Sequence, residues 1–445
     1  MLHLLVTISK FTIIFMFAFY TYLCFAALKN NLKQAKGEKI FKKQTKLIYL
    51  VCLNANAVLL FTLEDVRVIP MTLCEIVFFA LTSLIYKKMY KKASVTLVNN
   101  MCMLLCVGFV ILTRLDIEKA MRQLIFASAA LFVTALIPLF VKKMKFLNRL
   151  SFIYAAIGVL GLGVVTIAGT TEYGAKLSLS IGSISVQPSE FIKILFVFFV
   201  ASILYDLSDM SQLLYVTGVA ALHVLLLVLS RDLGGAAIFL LTYLCMIYVA
   251  TQKASYLVGG LGILAVGAVA SYFLFSHVRN RVVAWLDPLS VIDDQGYQVS
   301  QSLFAIGTGG WLGSGLGKGM PNKIPVVSKD FVFAAISEEM GGVFALCLIL
   351  ICVCCLLMFF NIALVMKDMF YKLVALGLAV VYGTQMFLAI GGVLKFIPST
   401  GVTLSLVSYG GSSLFATMIL FAVIQGLYIL QTDREREYTD EEESQ

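Results

Sequence analysis

The sequence predicts an all-α integral membrane protein with about 13 transmembrane helices. Of its 445 residues, 60% are hydrophobic and 13% are charged, a balance outside that of soluble globular chains. Apolar runs near the roughly 20 residues that span a bilayer recur along the chain, whereas the alternating pattern of an outer-membrane barrel does not. The predicted spans are 4–27, 47–62, 70–86, 96–113, 123–141, 150–168, 190–206, 212–229, 233–250, 255–276, 331–360, 369–394 and 407–431.

Lysines between the first spans predict the orientation of the chain. By the positive-inside rule these clusters face the cytoplasm, which places the N-terminus outside and the C-terminus inside after 13 spans. The net charge of +9 is therefore explained by the orientation of the chain in a membrane and does not indicate a nucleic-acid partner. The first span lacks a basic start and exceeds a signal-peptide core, so we expect it to be retained. The clusters are Lys29, Lys33, Lys36, Lys39, Lys42, Lys43, Lys46; Lys87, Lys88, Lys91, Lys92; and Lys142, Lys143, Lys145, Arg149.

Three regions follow from this pattern. Residues 1–93 form an N-terminal extension with three spans, and residues 94–431 form the main bundle, whose large outer loop covers about 277–330. Residues 432–445 form a charged cytoplasmic tail that we predict to be disordered. The ten cysteines lie almost wholly inside spans and the three histidines are scattered. No metal-ligand spacing or nucleotide loop is evident, so we predict no metal or cofactor and leave dependence on a divalent cation open.

The segment Gln187-Pro188-Ser189-Glu190 has the composition of a helix start on the outer side. Glu190 lies in the first turn, where the helix dipole favours an anion, and Lys193 follows three residues later on the same face. The two ions either form a structural pair at the membrane edge or face a cavity that binds an anionic head group.

Another short outer turn, Ser230-Arg231-Asp232, joins two long apolar spans. One interpretation is structural, with Asp232 capping the next helix and Arg231 offsetting its charge. The other places both side chains in the same outer cavity as Glu190 and Lys193.

The loop 277–330 is basic although the positive-inside rule disfavours cations on the outer face. An anionic ligand, naturally a diphosphate, is one explanation, because Arg and Lys both pair with phosphate oxygens. The alternative is that the cations neutralise Asp287, Asp293 and Asp294 or contact lipid phosphates. The cations are Arg279, Arg281, Lys318, Lys323 and Lys329.

Asp330 lies where this loop re-enters the membrane, a costly place for a carboxylate, and is therefore a candidate for chemistry. Glu338 and Glu339 follow eight and nine residues later, which on one continuous helix would place Glu338 near the azimuth of Asp330. The alternative is that Asp330 is only an N-cap. The run 408–412, at the start of the last span, could bind an anion or serve close helix packing.

Together these segments resemble the SEDS family (shape, elongation, division and sporulation) of cell-wall polymerases. Seven ordered blocks over roughly residues 96–431 carry the resemblance. They are Gln187-Pro188-Ser189-Glu190 with Lys193; Asp232-Leu233-Gly234; Trp285 to Pro288; Gly296-Tyr297-Gln298; Ala305-Ile306-Gly307 with Gly309-Gly310; Asp330-Phe331-Val332-Phe333 with Glu338-Glu339; and Ser408-Tyr409-Gly410-Gly411-Ser412.

The resemblance implies a ten-helix core that polymerises lipid II at the outer face of the bacterial cytoplasmic membrane, as a peptidoglycan glycosyltransferase with a class B penicillin-binding protein as its transpeptidase partner. The family's catalytic carboxylate falls on Asp330. The resemblance also implies substrate-binding residues and supporting residues. The implied substrate-binding residues are Glu190, Lys193, Asp232, Arg281, Gln298, Ser408, Tyr409, Gly410, Gly411 and Ser412; the supporting residues are Gln187, Pro188, Trp285, Glu338 and Glu339. We add Arg231 to the substrate-binding residues because its charge could face the same cavity.

Two other functions remain open from the sequence. A flippase or transporter of a lipid-linked precursor would also use cavity carboxylates with a lysine, although it should need polar residues on both faces of the bundle. An inactive scaffold for a transpeptidase would keep the fold without the chemistry. The sequence departs from the family pattern at Ser328-Lys329, Ile324-Pro325-Val326, Ser230-Arg231 and Thr403-Leu404-Ser405.

Overall fold

The computed structural model describes residues 2–28, 34–143, 146–172, 175–182 and 184–443. Lys29, Lys33 and Lys145, which belong to the predicted cytoplasmic clusters, lie outside the described residues. The helices are α1 (Leu2–Ala27), α2 (Gln34–Leu63), α3 (Val68–Met89), α4 (Val95–Leu115), α5 (Ile117–Thr134), α6 (Ile137–Lys143), α7 (Ser151–Ala168), α8 (Pro188–Leu204), α9 (Met210–Leu229), α10 (Leu233–Thr251), α11 (Ala254–Leu274), α12 (Ser276–Leu286), α13 (Tyr297–Gly309), α14 (Val332–Val365), α15 (Met369–Val393) and α16 (Gly411–Glu443).

The predicted helical membrane fold is confirmed. In the described residues, 12 helical segments are long and apolar enough to cross a membrane, with α5 and α6 forming one of them. The helix α8 has 17 residues and is too short to be counted by length, but it packs against α7, α10 and α15. With α8 the number of spans agrees with the predicted 13.

A small sheet that was not predicted interrupts the otherwise helical fold. Its three antiparallel strands, β1 (Thr170–Glu172), β2 (Ala175–Ile181) and β3 (Ile184–Val186), lie in the order β1-β2-β3 between α7 and α8. The alternation of polar and apolar residues from Lys176 to Ile181 is the local cause. The Lys176 amide donates to the carbonyl of Ser230 at 2.9 Å, so the sheet is joined to the turn after α9.

The predicted outer loop 277–330 is more ordered than an irregular connection. It contains most of α12 and all of α13, and α13 packs on α14. The Trp285 indole N–H donates to the carbonyl of Lys395 at 3.1 Å and so holds α12 against the chain that follows α15. This contact gives Trp285 a supporting position.

The helix α14 begins at Val332 and not at Asp330, which corrects the prediction that Asp330 and Glu338 share one helix. Farther along, Gly341 breaks α14 with φ 86° and ψ 170°. A backbone of this kind is open to glycine and strained for other residues. The break divides α14 into a short half-helix, residues 332–340, and a long membrane-spanning half.

The predicted disorder of the tail is wrong as far as Glu443, because α16 continues to that residue. Opposite charges spaced three and four apart, such as Asp433 with Arg436 and Arg436 with Asp440, favour helix there. Residues 444 and 445 of the predicted tail lie outside the described residues.

The three N-terminal helices pack directly on the main bundle. The helix α1 packs against α2 and α14, and α2 packs against α4. The rings of Phe17 in α1 and Phe344 in α14 stack with their centroids 3.9 Å apart. As a result α4 is enclosed, and residues 96–113 are all buried.

Candidate active site

A polar cavity of about 340 Å³ lies where α8 and α10 begin. Seven separate chain segments contribute to its wall, and most of the predicted outer charges meet there. The residues that line it include Gln187, Ser189, Glu190, Lys193, Arg231, Asp232, Asn280, Arg281, Gln298, Lys329, Asp330, Thr400 and Thr403.

Lys193, which is buried, and Glu190, which is half-buried, form an ion pair at one side of the cavity. The Lys193 Nζ donates to Glu190 Oε2 at 2.6 Å and to Gln385 Oε1, also at 2.6 Å. The lysine is 3% exposed, and Gln385 of α15 is buried as well. Since a buried charge requires partners, these two contacts hold the ammonium in one place. Gln385, which the sequence did not single out, is therefore part of this arrangement.

Asp232 caps α10 and faces the same cavity. Its Oδ1 accepts from the Gly235 amide at 2.9 Å, and a side-chain carbon on Gly235 would lie 2.6 Å from Oδ2, so only glycine fits. Burial raises the pKa of Asp232; Glu190 adds to this effect, while the cations of Lys193 and Arg281 oppose it. The N-cap and the cavity position of Asp232 were predicted as alternatives, and the structure shows both.

Arg231, beside it, adopts a left-handed backbone with φ +63°. Non-glycine residues rarely take this conformation, which concentrates at functional sites. The turn is held by its own backbone, because the Arg231 amide donates to Val228 at 2.9 Å. Arg231 is exposed and lines the cavity. Burial, together with the charges of Arg281 and Arg231, lowers the pKa of His277 on α12.

Arg281 and Asp330 lie on either side of Gly401. A side-chain carbon placed on Gly401 would lie 3.4 Å from an Arg281 guanidinium nitrogen and 3.7 Å from Asp330 Oδ2. Burial lowers the pKa of Arg281, whereas the carboxylates of Asp330 and Asp232 raise it. Arginine remains charged in proteins, so the cavity places a fixed cation beside the Asp330 carboxylate.

The segment before α14 presents Asp330 to the cavity. Val326 has φ +56°, an outlier for a β-branched residue, and its carbonyl accepts from the amides of Lys329 at 3.0 Å and Asp330 at 3.3 Å. The Tyr409 amide donates to the carbonyl of Ser328 at 2.8 Å. Phe331, not Asp330, is the N-cap of α14, so the simple capping interpretation is wrong.

Glu338 and Glu339 lie outside the cavity wall. Glu339 Oε1 accepts from Arg114 Nε at 2.9 Å, and its Oε2 accepts from the Gly317 amide at 3.0 Å. Glu338 Oε1 accepts from the Met320 amide at 2.8 Å. Both glutamates thus bind the loop that precedes the cavity segment, which agrees with a supporting position.

The run 408–412 does not line the cavity, but it is hydrogen-bonded to a segment that does. The Ser408 hydroxyl accepts from the Leu404 amide at 3.0 Å, and the Gly410 amide donates to Gln123 at 3.2 Å. The Ser412 hydroxyl accepts from the Gln187 amide at 3.0 Å. Small residues here allow close backbone packing, so the predicted direct substrate contacts of Ser408, Tyr409, Gly410, Gly411 and Ser412 do not correspond to the cavity wall.

Gln298, by contrast, lines the cavity at the start of α13, and its Nε2 donates to the carbonyl of Pro325 at 2.9 Å. Asn280 and the segment 399–403 also line it, and sequence reasoning did not single them out. A signal for this segment was present, since Pro398-Ser399-Thr400-Gly401 interrupts the apolar residues before the last span. In the described parts of the chain, no three His, Cys, Asp or Glu side chains gather as metal ligands would.

The fold and the cavity define a polytopic helical membrane protein with a polar site that contains three carboxylates, those of Glu190, Asp232 and Asp330, and several cations. Residues 96–432 match the family of cell cycle proteins that comprises FtsW, RodA and SpoVE. The chain belongs to this family, and the resemblance to the SEDS polymerases is confirmed.

Named relatives and solved structures agree with this assignment. The peptidoglycan glycosyltransferase RodA of Mycobacterium tuberculosis is 34% identical over 346 residues, 71% of this chain and 74% of that protein. The stage V sporulation protein E of Bacillus subtilis is 32% identical over 273 residues, 60% of this chain and 74% of that protein. A chain in a peptidoglycan synthase complex has a TM-score of 0.63 and 26% identity, covering 76% of this chain and 97% of that chain. Thermus thermophilus RodA has a TM-score of 0.56 and 25% identity, covering 76% and 96%.

Proposed function

We propose that this chain is a peptidoglycan glycosyltransferase that polymerises lipid II into glycan strands at the outer face of a bacterial cytoplasmic membrane. The observation that carries the proposal is the pair of Asp330 and Arg281 on either side of Gly401 in the polar cavity. The RodA relative from Mycobacterium tuberculosis supports the reaction class, because it is a peptidoglycan glycosyltransferase.

Asp330 acts as the general base in the proposed mechanism. Its carboxylate accepts the proton of the 4-hydroxyl group on the acceptor sugar, and that oxygen forms the new bond to the anomeric carbon of the donor. The bond from that carbon to the lipid diphosphate breaks, and the diphosphate leaves with the bonding electrons. A positioned base contributes roughly 100-fold to 10,000-fold to such a step.

The cavity cations supply the electrostatic part of the mechanism. Arg281 and Arg231 line the cavity close to Asp330 and Asp232, and Lys193 is fixed by its two partners. Cations placed where negative charge develops stabilise the departing diphosphate more than the bound substrate. Arg281 is the candidate with the most direct position, since it lies beside the proposed base.

The stereochemistry needs only one carboxylate. An α-linked lipid diphosphate that yields a β-linked glycan is displaced with inversion, so no covalent glycosyl-enzyme is required. The proposal therefore assigns Asp232 and Glu190 to the binding and orientation of cations. It includes no resident metal or cofactor.

The proposal also includes the orientation of the chain in the membrane and its protein partner. The basic clusters support an outer N-terminus and a cytoplasmic C-terminus. A class B penicillin-binding protein is the proposed transpeptidase partner, supported by a structural neighbour that belongs to a peptidoglycan synthase complex.

The test uses the purified full-length chain in liposomes, with and without a transpeptidase partner, and fluorescent lipid II. Glycan length is read on gels for the wild type, Asp330→Asn and Asp293→Asn. Asp293 is exposed in the same outer region and does not line the cavity, so its substitution is the matched control. We expect polymer from the wild type and the control and none from Asp330→Asn.

Two results would contradict the proposal in different ways. Polymer from a folded Asp330→Asn variant would remove the base from the mechanism. A wild type that makes no polymer but moves labelled lipid II across the bilayer would favour a flippase, and one that does neither while binding the transpeptidase would favour a scaffold.

A further inference from the structure

The N-terminal helices α1, α2 and α3 lie outside the family match, which begins at residue 96. The solved relatives are covered over 97% and 96% of their lengths by only 76% of this chain. Most of the N-terminal extension therefore has no counterpart in those structures, and the activity of the family does not explain it.

Polar contacts bind this extension to the main bundle. In α4, Asn100 Oδ1 accepts from the Tyr20 hydroxyl at 2.9 Å and from the Cys24 thiol at 3.1 Å. Asn99 Oδ1 accepts from the Thr45 hydroxyl at 3.2 Å. Without α1 and α2 the Oδ1 atoms of both side chains would lose these donors inside the membrane, where an unsatisfied polar group costs several kcal/mol. The extension is thus a fixed part of the bundle.

The extension also contacts the glycine-rich loop, residues 310–319. The Lys10 Nζ of α1 donates to the Gly313 carbonyl at 3.1 Å. A side-chain carbon on Gly317 would lie 2.6 Å from the Thr62 hydroxyl of α2, and Gly317 has φ +82°. Two helices of the extension therefore hold this loop at close range.

The loop in turn completes the hydrogen bonds of the broken helix α14. The Gly315 amide donates to the Glu339 carbonyl at 2.8 Å, and the Gly342 amide donates to the Gly310 carbonyl at 2.8 Å. These bonds satisfy backbone groups that the break at Gly341 leaves without helical partners. They fix one end of the half-helix 332–340, and Asp330 lies just before its other end.

We propose that the N-terminal extension positions the proposed base, and that Lys10 is the positioning residue that ties the extension to the glycine-rich loop. The path runs from Lys10 through Gly313 and the loop to the half-helix that follows Asp330. Lys10 does not touch the cavity and is not a catalytic residue. This inference rests on the proposed polymerase function.

The test compares Lys10→Met and Lys10→Arg with Lys43→Met in the full-length chain. Lys43 belongs to the same extension and is exposed, so it controls for the loss of a lysine. We expect Lys10→Met to lower kcat about tenfold to a hundredfold, while KM for lipid II changes less than about threefold, because only the placement of the base is altered. Lys10→Arg should recover most of kcat, since a guanidinium also donates to a carbonyl.

Hydrogen exchange provides a readout that does not depend on activity. The amides of Gly315 and Gly342 should exchange faster in Lys10→Met and at the wild-type rate in Lys43→Met. Thr62→Leu, which pushes against Gly317 from α2, should produce the same loss of kcat and the same exchange change. Melting temperatures within a few degrees of the wild type identify the variants whose fold is retained.

The outcomes separate the two proposals. A wild type that polymerises lipid II, together with a Lys10→Met variant of normal kcat and normal exchange, would overturn the positioning inference and leave the proposed function intact. A wild type without polymerase activity whose Lys10→Met variant exchanges faster would contradict the proposed function and keep the contact between extension and loop.

Discussion

Arg281 and Asp330 come from segments nearly 50 residues apart and approach the same point beside Gly401. Arg281 belongs to α12, whereas Asp330 precedes α14. Gly401 has φ +73°, a backbone conformation that strains any residue with a side chain. The positions of the proposed base and the proposed diphosphate ligand thus depend on one glycine from a third segment.

Gly401→Ala should lower polymerase activity more than tenfold. The added methyl group would make ordinary contacts with the Arg281 guanidinium at 3.4 Å and Asp330 Oδ2 at 3.7 Å, but the left-handed backbone costs a non-glycine residue about 1–3 kcal/mol. Relief of this strain displaces the segment 399–403 from the cavity wall. Initial rates with fluorescent lipid II in liposomes measure the loss.

Gly410→Ala is the matched control for this substitution. A side-chain carbon there would meet Ser413 at 3.7 Å, an ordinary contact, and Gly410 is not among the described residues with positive φ. If both variants lose activity equally, the loss in Gly401→Ala comes from a general packing defect and not from the change beside Arg281 and Asp330.

Lys193→Met should destabilise the folded chain by about 1–3 kcal/mol, because it leaves the half-buried Glu190 carboxylate and the buried Gln385 oxygen without their donor. The substitution removes the donor to Glu190 and Gln385, both at 2.6 Å. The double variant Lys193→Met with Glu190→Gln should recover much of this stability, because no unpaired charge remains. Thermal unfolding in detergent measures both variants.

Activity distinguishes a structural ion pair from a functional one. If the pair only stabilises α8, the double variant should polymerise lipid II at the wild-type rate once its stability is restored. We expect it to remain at least tenfold slower, since its cavity lacks the fixed ammonium. A double variant with full activity would assign Lys193 to the fold alone.

The sequence predicted the members of the cavity better than their arrangement. Glu190, Asp232 and Asp330 each stand at the end of an apolar run, so counting spans places them on one side of the membrane. Whether they meet depends on which helices are neighbours, and hydropathy does not encode that order. The convergence of α8, α10 and α12 on one cavity could be found only from the packed bundle.

Two features that the prediction missed had signals in the sequence. The break in α14 was one of them, since the pair Gly341-Gly342 is typical of a break. The strand β2 follows an alternating pattern that a search for long apolar runs overlooks. The role of the run 408–412 was ambiguous for a physical reason, since small residues serve both anion binding and close packing.

The buried carboxyl group of Asp232 predicts a pH dependence of stability with a definite sign. Because its pKa is raised in the folded chain, the folded state binds this proton more tightly than the unfolded state. Its contribution to stability is present at low pH and is lost as the pH rises through the raised pKa. Asp232→Asn keeps an N-cap acceptor and should remove this loss. Melting temperatures from acidic to neutral pH measure the difference.

Asp116→Asn is a control with the opposite sign. The pKa of Asp116, the N-cap of α5, is lowered in the folded chain. Burial by itself would raise this pKa, but hydrogen bonds from Lys119 and Glu118 outweigh that effect. Its contribution to stability is therefore present above the ordinary aspartate range and is lost as the pH falls. Parallel pH profiles for the two variants would contradict the assignment of Asp232 as a buried, proton-retaining group.

The surroundings of Glu75 in α3 predict how its substitution changes the stability of the chain. Its Oε2 accepts from Asn56 Nδ2 at 2.7 Å and from the Cys52 thiol at 3.1 Å. Glu75 is fully buried, and its Oε1, like Asn56 Oδ1, has no hydrogen-bond partner. Glu75→Gln keeps an acceptor for Asn56 and adds donors, so its melting temperature should equal or exceed that of the wild type.

Glu75→Leu should lower stability by about 1–3 kcal/mol, because the Asn56 amide group would then be buried without its acceptor. The comparison of Gln with Leu at this position separates hydrogen bonding from charge. If both substitutions destabilise the chain equally in detergent melts, the stabilising feature is the negative charge of Glu75 itself. Adding Asn56→Leu to Glu75→Leu should then recover nothing, whereas under hydrogen bonding the double variant should be more stable than Glu75→Leu alone.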